Sequence, residues 1–181
     1  MAFFIFGEPM KVAFYKGTRP GLSGIVNRAI RWWTNSAYSH CELVVGPVEG
    51  GFLCASSSFE DGGVRFIVTD LDPARWEIVE VMLDDEAGHR AVDWFNDHVG
   101  EPYDLAAAFG FVWRRGHREG HWDCSEAIGA ALGIPESWRL DPATLHAVLS
   151  AAAGDVPFET VISAPACLSL GGEKAPHRFP G

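Results

Sequence analysis

The sequence predicts an α+β fold in which an antiparallel sheet packs against helices. Four short segments rich in apolar and β-branched residues lie between glycine-containing turns, at residues 40–46, 52–56, 64–68 and 77–83. After them the apolar residues recur at helical spacing. The chain has 181 residues, 48% of them hydrophobic and 21% charged, which is enough for one domain with a core of its own. A run of strands followed by a run of helices is typical of the α+β class.

The N-terminal part is predicted to begin the sheet and to add one helix. We expect a first strand at residues 11–15, with residues 1–9 as an N-terminal extension and Met10 as an alternative start. Arg-Pro-Gly at residues 19–21 predicts a turn, after which Ser23 can cap a helix. Four apolar residues of that helix share one face: Ile25, Ala29, Ile30 and Trp33.

The remaining elements follow from turn and capping signals. Pro47 and the glycines at residues 50–51 predict a hairpin between the strands at 40–46 and 52–56. Gly100 and Pro102 end an amphipathic helix, and a looser helical stretch follows at 105–113. Further helices are predicted to begin at Asp123 and at Asp141, where proline takes the first helical position. Residues 10–164 are expected to form the domain and residues 165–181 a mobile tail.

Composition and charge exclude several classes of function. The formal net charge of -10, with only 14 scattered lysines and arginines, argues against a nucleic-acid partner and against docking on an anionic membrane. No apolar segment is long enough to span a bilayer. The apolar N-terminus lacks a basic region and runs at once into Glu8 and Pro9, so no secretory signal is expected. The four cysteines show no CxxC spacing, which disfavours a disulfide framework, and no cofactor is expected.

Cys124 is the cysteine whose local sequence indicates chemistry. Asp123 and Glu126 have the spacing of a capping box, which places Cys124 at the first residue of a helix. The unpaired N–H groups and the dipole of a helix start favour an anion, and the thiolate is the reactive form of cysteine. The alternative is that Cys124 only fills space in the core, as most free cysteines do.

A nucleophilic cysteine needs a base and a group that orients this base. Among seven histidines, His40 stands out because it begins a strand on which His40 and Glu42 share one face. Glu42 can orient the imidazole. Ser56 is the alternative, because hairpin pairing would bring it or a neighbouring serine opposite His40.

Three short motifs resemble the circularly permuted branch of the NlpC/P60 papain-like cysteine hydrolases, the YiiX/YebB-like group. They are Tyr-Ser-His at residues 38–40, Gly-Glu-Pro-Tyr-Asp at 100–104 and Asp-Cys-Ser-Glu at 123–126. Lecithin-retinol acyltransferase-like proteins are more distant relatives of that group. The resemblance covers about residues 10–150, and the histidine precedes the cysteine as it does in the permuted branch.

The resemblance implies a papain-like fold with Cys124 as nucleophile, His40 as base and Tyr103 as an active-site residue near the thiol. The family often places a polar orienting residue just before Ala55, where this chain has Cys54, so the role falls to Glu42 or Ser56. We favour Glu42, and expect Trp122 beside the nucleophile to face a substrate cleft.

The implied reaction is cleavage of an amide through an acyl-enzyme. Cell-wall peptides are the first substrate class, and lipid-linked esters or amides the second. A weaker resemblance to phage or prophage proteins implies virion partners. Because no secretory signal is expected, the sequence predicts a cytoplasmic or virion-associated protein.

Two alternatives belong to other classes. His117, His121 and Cys124 could gather around a metal if one helix spanned them, although Gly116 and Gly120 interrupt that stretch. The chain could also be a non-catalytic phage structural or interaction protein with a vestigial site, because a fold does not guarantee chemistry.

Overall fold

The computed structural model describes residues 9–104 and 118–155, and within them the fold is α+β, with four α-helices and a five-stranded antiparallel sheet. The elements are β1 (Met10–Tyr15), α1 (Gly21–Trp33), β2 (His40–Val48), β3 (Gly51–Ser58), β4 (Gly63–Thr69), β5 (Trp76–Val81), α2 (Asp85–His98), α3 (Cys124–Ala131) and α4 (Pro142–Asp155). Every predicted strand is present, which confirms the α+β prediction. The predicted helix at 105–113, the extension at 1–8 and the tail at 165–181 lie outside the described residues.

The sheet order β4-β3-β2-β1-β5 places β2 at the centre. The predicted hairpin of β2 and β3 forms, with Leu43 opposite Ala55, and a register shift follows Val44. The last strand returns to pair with β1, where Val12 faces Val79. The strand that begins with His40 therefore has a paired strand on each side, β3 and β1.

The two faces of the sheet are both packed. Cys41, Leu43 and Val45 of β2 belong to the larger core, which also contains buried residues of α2, α3 and α4. On the opposite face, Val44 and Cys54 lie in a smaller cluster that extends to Trp76. Strand alternation therefore assigns each β2 side chain to one of two different environments.

Helix α3 packs closely because it carries small residues. A Cβ atom on Gly129 would lie 2.8 Å from Leu140 Cδ1 and 2.9 Å from Ser137 Cβ. Both distances are shorter than van der Waals contact, so a larger residue would move this helix away from its neighbours. The glycine fixes the position of the helix whose first residue is Cys124.

Helix α1 differs from the prediction at its start and in its buried face. It begins at Gly21 after Pro20, so Ser23 is not its N-cap. The predicted apolar face is largely exposed, with Ile25 56% and Trp33 47% accessible, while Asn27 points inward and donates to Ser39. The apolar residues do share one face of α1, but the rest of the fold does not cover this face, so part of it is exposed to solvent.

Candidate active site

Cys124 is the first residue of α3, as the capping pattern predicts. Asp123 is the N-cap: its Oδ1 accepts hydrogen bonds from the backbone N–H groups of Ser125 at 2.8 Å and Glu126 at 2.9 Å. The Ser125 hydroxyl also donates to Oδ1 at 2.8 Å. The cap thus uses N–H groups beyond Cys124 and leaves the sulfur at the positive end of the helix dipole.

The second oxygen of the same carboxyl is in an unusual setting. Within the described part of the chain, Asp123 Oδ2 is the buried side-chain oxygen that lacks a hydrogen-bond partner. Burial and the nearby charge of Cys124 raise the pKa of Asp123 to about 8. A neutral Asp123 would still cap the helix, and it would place no negative charge beside the sulfur.

His40 and Glu42 are joined directly. His40 Nε2 and Glu42 Oε1 are 2.8 Å apart, although the two residues are separated by only one residue on β2. Burial alone would lower the pKa of His40, but the charges of Cys124 and Glu42 and their hydrogen bonds raise it to about 9. Because Nε2 is bound to Glu42, Nδ1 is the nitrogen that remains for the thiol.

Glu42 is held in its charged form by a residue that the sequence reasoning missed. Arg65 on β4 binds both oxygens of Glu42, at 2.8 Å and 2.5 Å, and its Nε lies 2.9 Å from Asp61. Burial would raise the pKa of Glu42, but hydrogen bonds from His40 and Arg65 lower it to about 2. The buried carboxylate therefore has two cationic partners, as a buried charge requires.

Arg65 can reach Glu42 because three strands align across the sheet. In the register, Arg65 lies opposite Ser56 of β3, and Ser56 lies on the strand between Arg65 and Glu42. The signal in the sequence was a single arginine in the otherwise apolar segment at residues 64–68. Its partner could not be identified without the pairing of β2, β3 and β4.

The Cys124 sulfur lies among groups that favour its thiolate. A hydrogen bond from the Cys41 thiol lowers the pKa of Cys124 most. Burial opposes this effect, and the charge and hydrogen bond of His40 reinforce it. The pKa of Cys124 is thus held well below its usual value. Cys54 provides the contrast, since burial raises its pKa to about 12. The arrangement favours a Cys124 thiolate paired with a His40 imidazolium at neutral pH.

A cavity of about 50 Å³ lies beside the imidazole, lined by residues that include His40 and Tyr103. Burial, followed by the charge of Cys124, raises the pKa of Tyr103 well above its usual value. Tyr103 is held in place through its backbone, whose N–H donates to the carbonyl of Gly62 at 3.2 Å. The structure therefore places Tyr103 on the wall of the cavity that His40 also lines.

Ser56 and Trp122 are placed differently from Tyr103. Ser56 is fully buried, and its hydroxyl donates to the carbonyl of Cys41 at 2.7 Å, so Glu42 is the one of the two candidates that is bonded to His40. The Trp122 ring packs edge-on against Trp94 of α2 at 4.8 Å, and its N–H donates to Glu101. Trp122 does not line the cavity beside His40.

In the part of the chain that is described, the structure shows neither a metal site nor a membrane-spanning helix. No group of three or more His, Cys, Asp or Glu residues at 9–104 and 118–155 could hold a metal ion. His117 of the alternative metal site lies outside these ranges. None of the described helices has the length and apolar character that a membrane span requires.

The chain was also compared with known proteins. No family model and no curated protein sequence matches it. The geometry of the site is therefore the basis for a functional assignment.

Proposed function

We propose that this protein is a cysteine hydrolase of the permuted papain-like type, which cleaves an amide bond through an acyl-enzyme on Cys124. The observation that carries the proposal is the pair of His40 and Glu42, 2.8 Å apart, together with the charge interaction that raises the pKa of His40 and lowers that of Cys124. The order of the parts, with the histidine on a central strand and the later cysteine at a helix start, supports the permuted papain-like assignment.

In the proposed reaction the Cys124 thiolate attacks the substrate carbonyl, and His40 then protonates the leaving amine. Neutral His40 next removes a proton from the water that hydrolyses the acyl-enzyme. Glu42 orients the ring and stabilises its charged form, and it remains ionised throughout because Arg65 holds it.

The negative oxygen of the tetrahedral intermediate needs a donor near the sulfur. Asp123 accepts the N–H groups of Ser125 and Glu126 through its side chain, and the N–H of Ala127 through its carbonyl. These bonds do not involve the N–H of Cys124, which we propose as the oxyanion donor.

Cell-wall peptides are the first substrate class that we propose. A lipid ester or amide is the second, and one observation favours it: exposed apolar side chains of α1, Ile25 and Trp32, lie on the helix that supplies Val26 and Ile30 to the cavity wall. A lipid chain could cover such a surface.

The test measures the reactive thiol first and the substrate second. Iodoacetamide should label Cys124 of the folded protein faster than Cys54, and His40→Ala should slow this labelling. Incubation with cell-wall peptide fragments or with activated lipid esters should then add an acyl mass to the wild type but not to Cys124→Ala. Cys54→Ala serves as the matched control, because Cys54 is also buried but lies in the cluster on the opposite face of the sheet from Cys124. If Cys124 is labelled no faster than a cysteine of the unfolded chain, the proposed function is refuted.

A further inference from the structure

Cys41 is a buried thiol beside the nucleophile that the proposed reaction does not use. It follows His40 on β2, is fully buried, and belongs to the same core cluster as Cys124. Both cysteines are free thiols, and their interaction raises the pKa of Cys41 and lowers that of Cys124. Cys41 and Cys124 therefore lie in the same core, on the face of the sheet that α3 covers.

We propose that Cys124 is a site of reversible oxidation by hydroperoxides, with Cys41 as the resolving thiol that forms a Cys41–Cys124 disulfide. The inference rests on the proposed function in one respect, since both require a Cys124 thiolate. It adds a reaction that switches the hydrolase off and protects its nucleophile.

The placement of the three described cysteines selects this pair. Cys41 points into the core that contains α3, whereas Cys54 belongs to the smaller cluster on the opposite face of the sheet. Helix α3, which begins with Cys124, packs directly against β2, which carries Cys41, and a disulfide requires the two sulfurs to approach to about 2.05 Å. Cys54 would have to pass through the sheet to reach Cys124.

The order of events follows from access and ionisation. Cys124 is 4% exposed and Cys41 is fully buried, so an oxidant meets Cys124 first. The cavity of about 50 Å³ beside His40 has room for a molecule as small as hydrogen peroxide. Burial keeps the pKa of Cys41 well above its usual value, so Cys41 remains a thiol until an electrophilic sulfur forms next to it.

The chemistry proceeds in two balanced steps. The Cys124 thiolate attacks one oxygen of hydrogen peroxide, the O–O bond breaks, and the released hydroxide takes the proton of the His40 imidazolium to leave as water. Cys124 is then a sulfenic acid. The Cys41 sulfur attacks the Cys124 sulfur, the S–O bond breaks, and the Cys41 proton leaves with the hydroxyl group as a second water. Two thiol groups have been oxidised and one peroxide has been reduced.

The test uses the full chain, reduced and then exposed to hydrogen peroxide at neutral pH. Before exposure, iodoacetamide labelling establishes whether Cys124 is reactive. After exposure, the protein is digested without reductant by a protease that cleaves on the C-terminal side of glutamate. This places Cys41 and Cys54 on different peptides, because Glu42 and Glu49 lie between them. Mass spectrometry should find the Cys41 peptide joined to the Cys124 peptide, with a loss of two hydrogens. Labelling of Cys124 should be lost and should return after treatment with dithiothreitol.

Two variants make the result decisive. In Cys41→Ser the crosslink should be absent, and Cys124 should proceed to sulfinic acid, which dithiothreitol does not reverse. Cys54→Ser is the matched control and should behave like the wild type.

A reactive Cys124 that forms no crosslink to Cys41 in the wild type, or that crosslinks to Cys54 or Cys167 instead, overturns the inference and leaves the proposed function intact. A crosslink in a protein that hydrolyses no substrate supports the inference and counts against the hydrolase. Both readings come from wild-type protein, so they do not depend on the folding of a variant.

Discussion

Replacement of Arg65 by methionine should reveal how strongly the candidate site depends on its buried carboxylate. The change removes two hydrogen bonds of 2.8 Å and 2.5 Å from Glu42, which is 1% exposed and keeps only His40 as a partner. Removal of one member of a buried ion pair costs about 3 to 5 kcal/mol. The contact of Arg65 with Asp61 adds little, because the Asp61 side chain is 36% exposed.

The free energy of unfolding, measured by urea denaturation at pH 7, checks this magnitude. In a chain of this length, each kcal/mol of lost stability lowers the melting temperature by about 2 to 4 °C. The melting temperature of Arg65→Met should therefore fall by about 6 to 20 °C. Arg75→Met is the matched control: Arg75 also binds two carboxylates, Asp70 and Asp72, but it is half exposed, and its loss should destabilise the fold far less than the loss of Arg65.

A double variant separates charge from packing. In Glu42→Leu with Arg65→Met both buried charges are gone, so most of the stability should return while the reactivity of Cys124 does not. If Arg65→Met costs no more than Arg75→Met, Glu42 is not a buried charge that depends on Arg65, and the reasoning about the site is refuted.

Three further predictions concern protonation and backbone geometry. The His40 ring should titrate near pH 9 by NMR, and Glu42→Gln should lower that pKa by about 1 to 2 pH units, which is the loss of a charged hydrogen bond of about 1.5 to 3 kcal/mol. The stability of the wild type should fall as pH rises from about 4 to about 8, because Asp123 keeps its proton in the folded chain and loses it in the unfolded one. Asp123→Asn has no such proton, so its stability relative to the wild type should increase over this pH range. Gly63→Ala should cost about 1 to 3 kcal/mol more than Gly62→Ala, since both glycines have positive φ but only the Gly63 Cβ would collide with a neighbouring carbonyl, at 1.9 Å.

The direction of the His40 effect on stability is fixed by the same pKa. Since His40 has a pKa of about 9 in the folded chain and about 6.5 in an unfolded one, its protonation stabilises the fold fully below about pH 6.5. This contribution is lost as pH rises through about 9, and hydrolysis should be lost with it. Glu80→Gln, on the exposed part of β5, is the control for Glu42→Gln and should leave the titration of His40 unchanged. An unchanged His40 pKa in Glu42→Gln, a flat difference between Asp123→Asn and wild type, or equal costs for the two glycine variants would each contradict its prediction.

The local parts of the fold and site were predictable because they depend on neighbouring residues. The strands follow from β-branched residues between turns, and the position of Cys124 follows from the cap formed by the residue before it. Glu42 was a candidate because strand alternation places it on the face of His40.

The parts that depend on tertiary packing were not predictable. Arg65 meets Glu42 only after β3 is inserted between their strands, and Cys41 meets Cys124 only after α3 packs on the sheet. The same limit applies to α1, since its apolar stripe is visible in the sequence but whether that stripe is covered depends on distant segments. His146 likewise gains Glu77 as a partner at 3.1 Å, although its helix offers none nearby.

The order of the elements along the chain has a consequence for biosynthesis. The strand that carries His40 is made early, whereas β5 must still return to β1 and the helix of Cys124 comes later still. Such non-local pairing raises the contact order, and domains of this kind fold more slowly than those with local contacts. A ribosome-bound chain that ends before residue 124 carries the base and its carboxylate but no nucleophile. We expect the reactive sulfur to join the site after its base and carboxylate, so the nascent chain lacks the nucleophile until residue 124 has been synthesised.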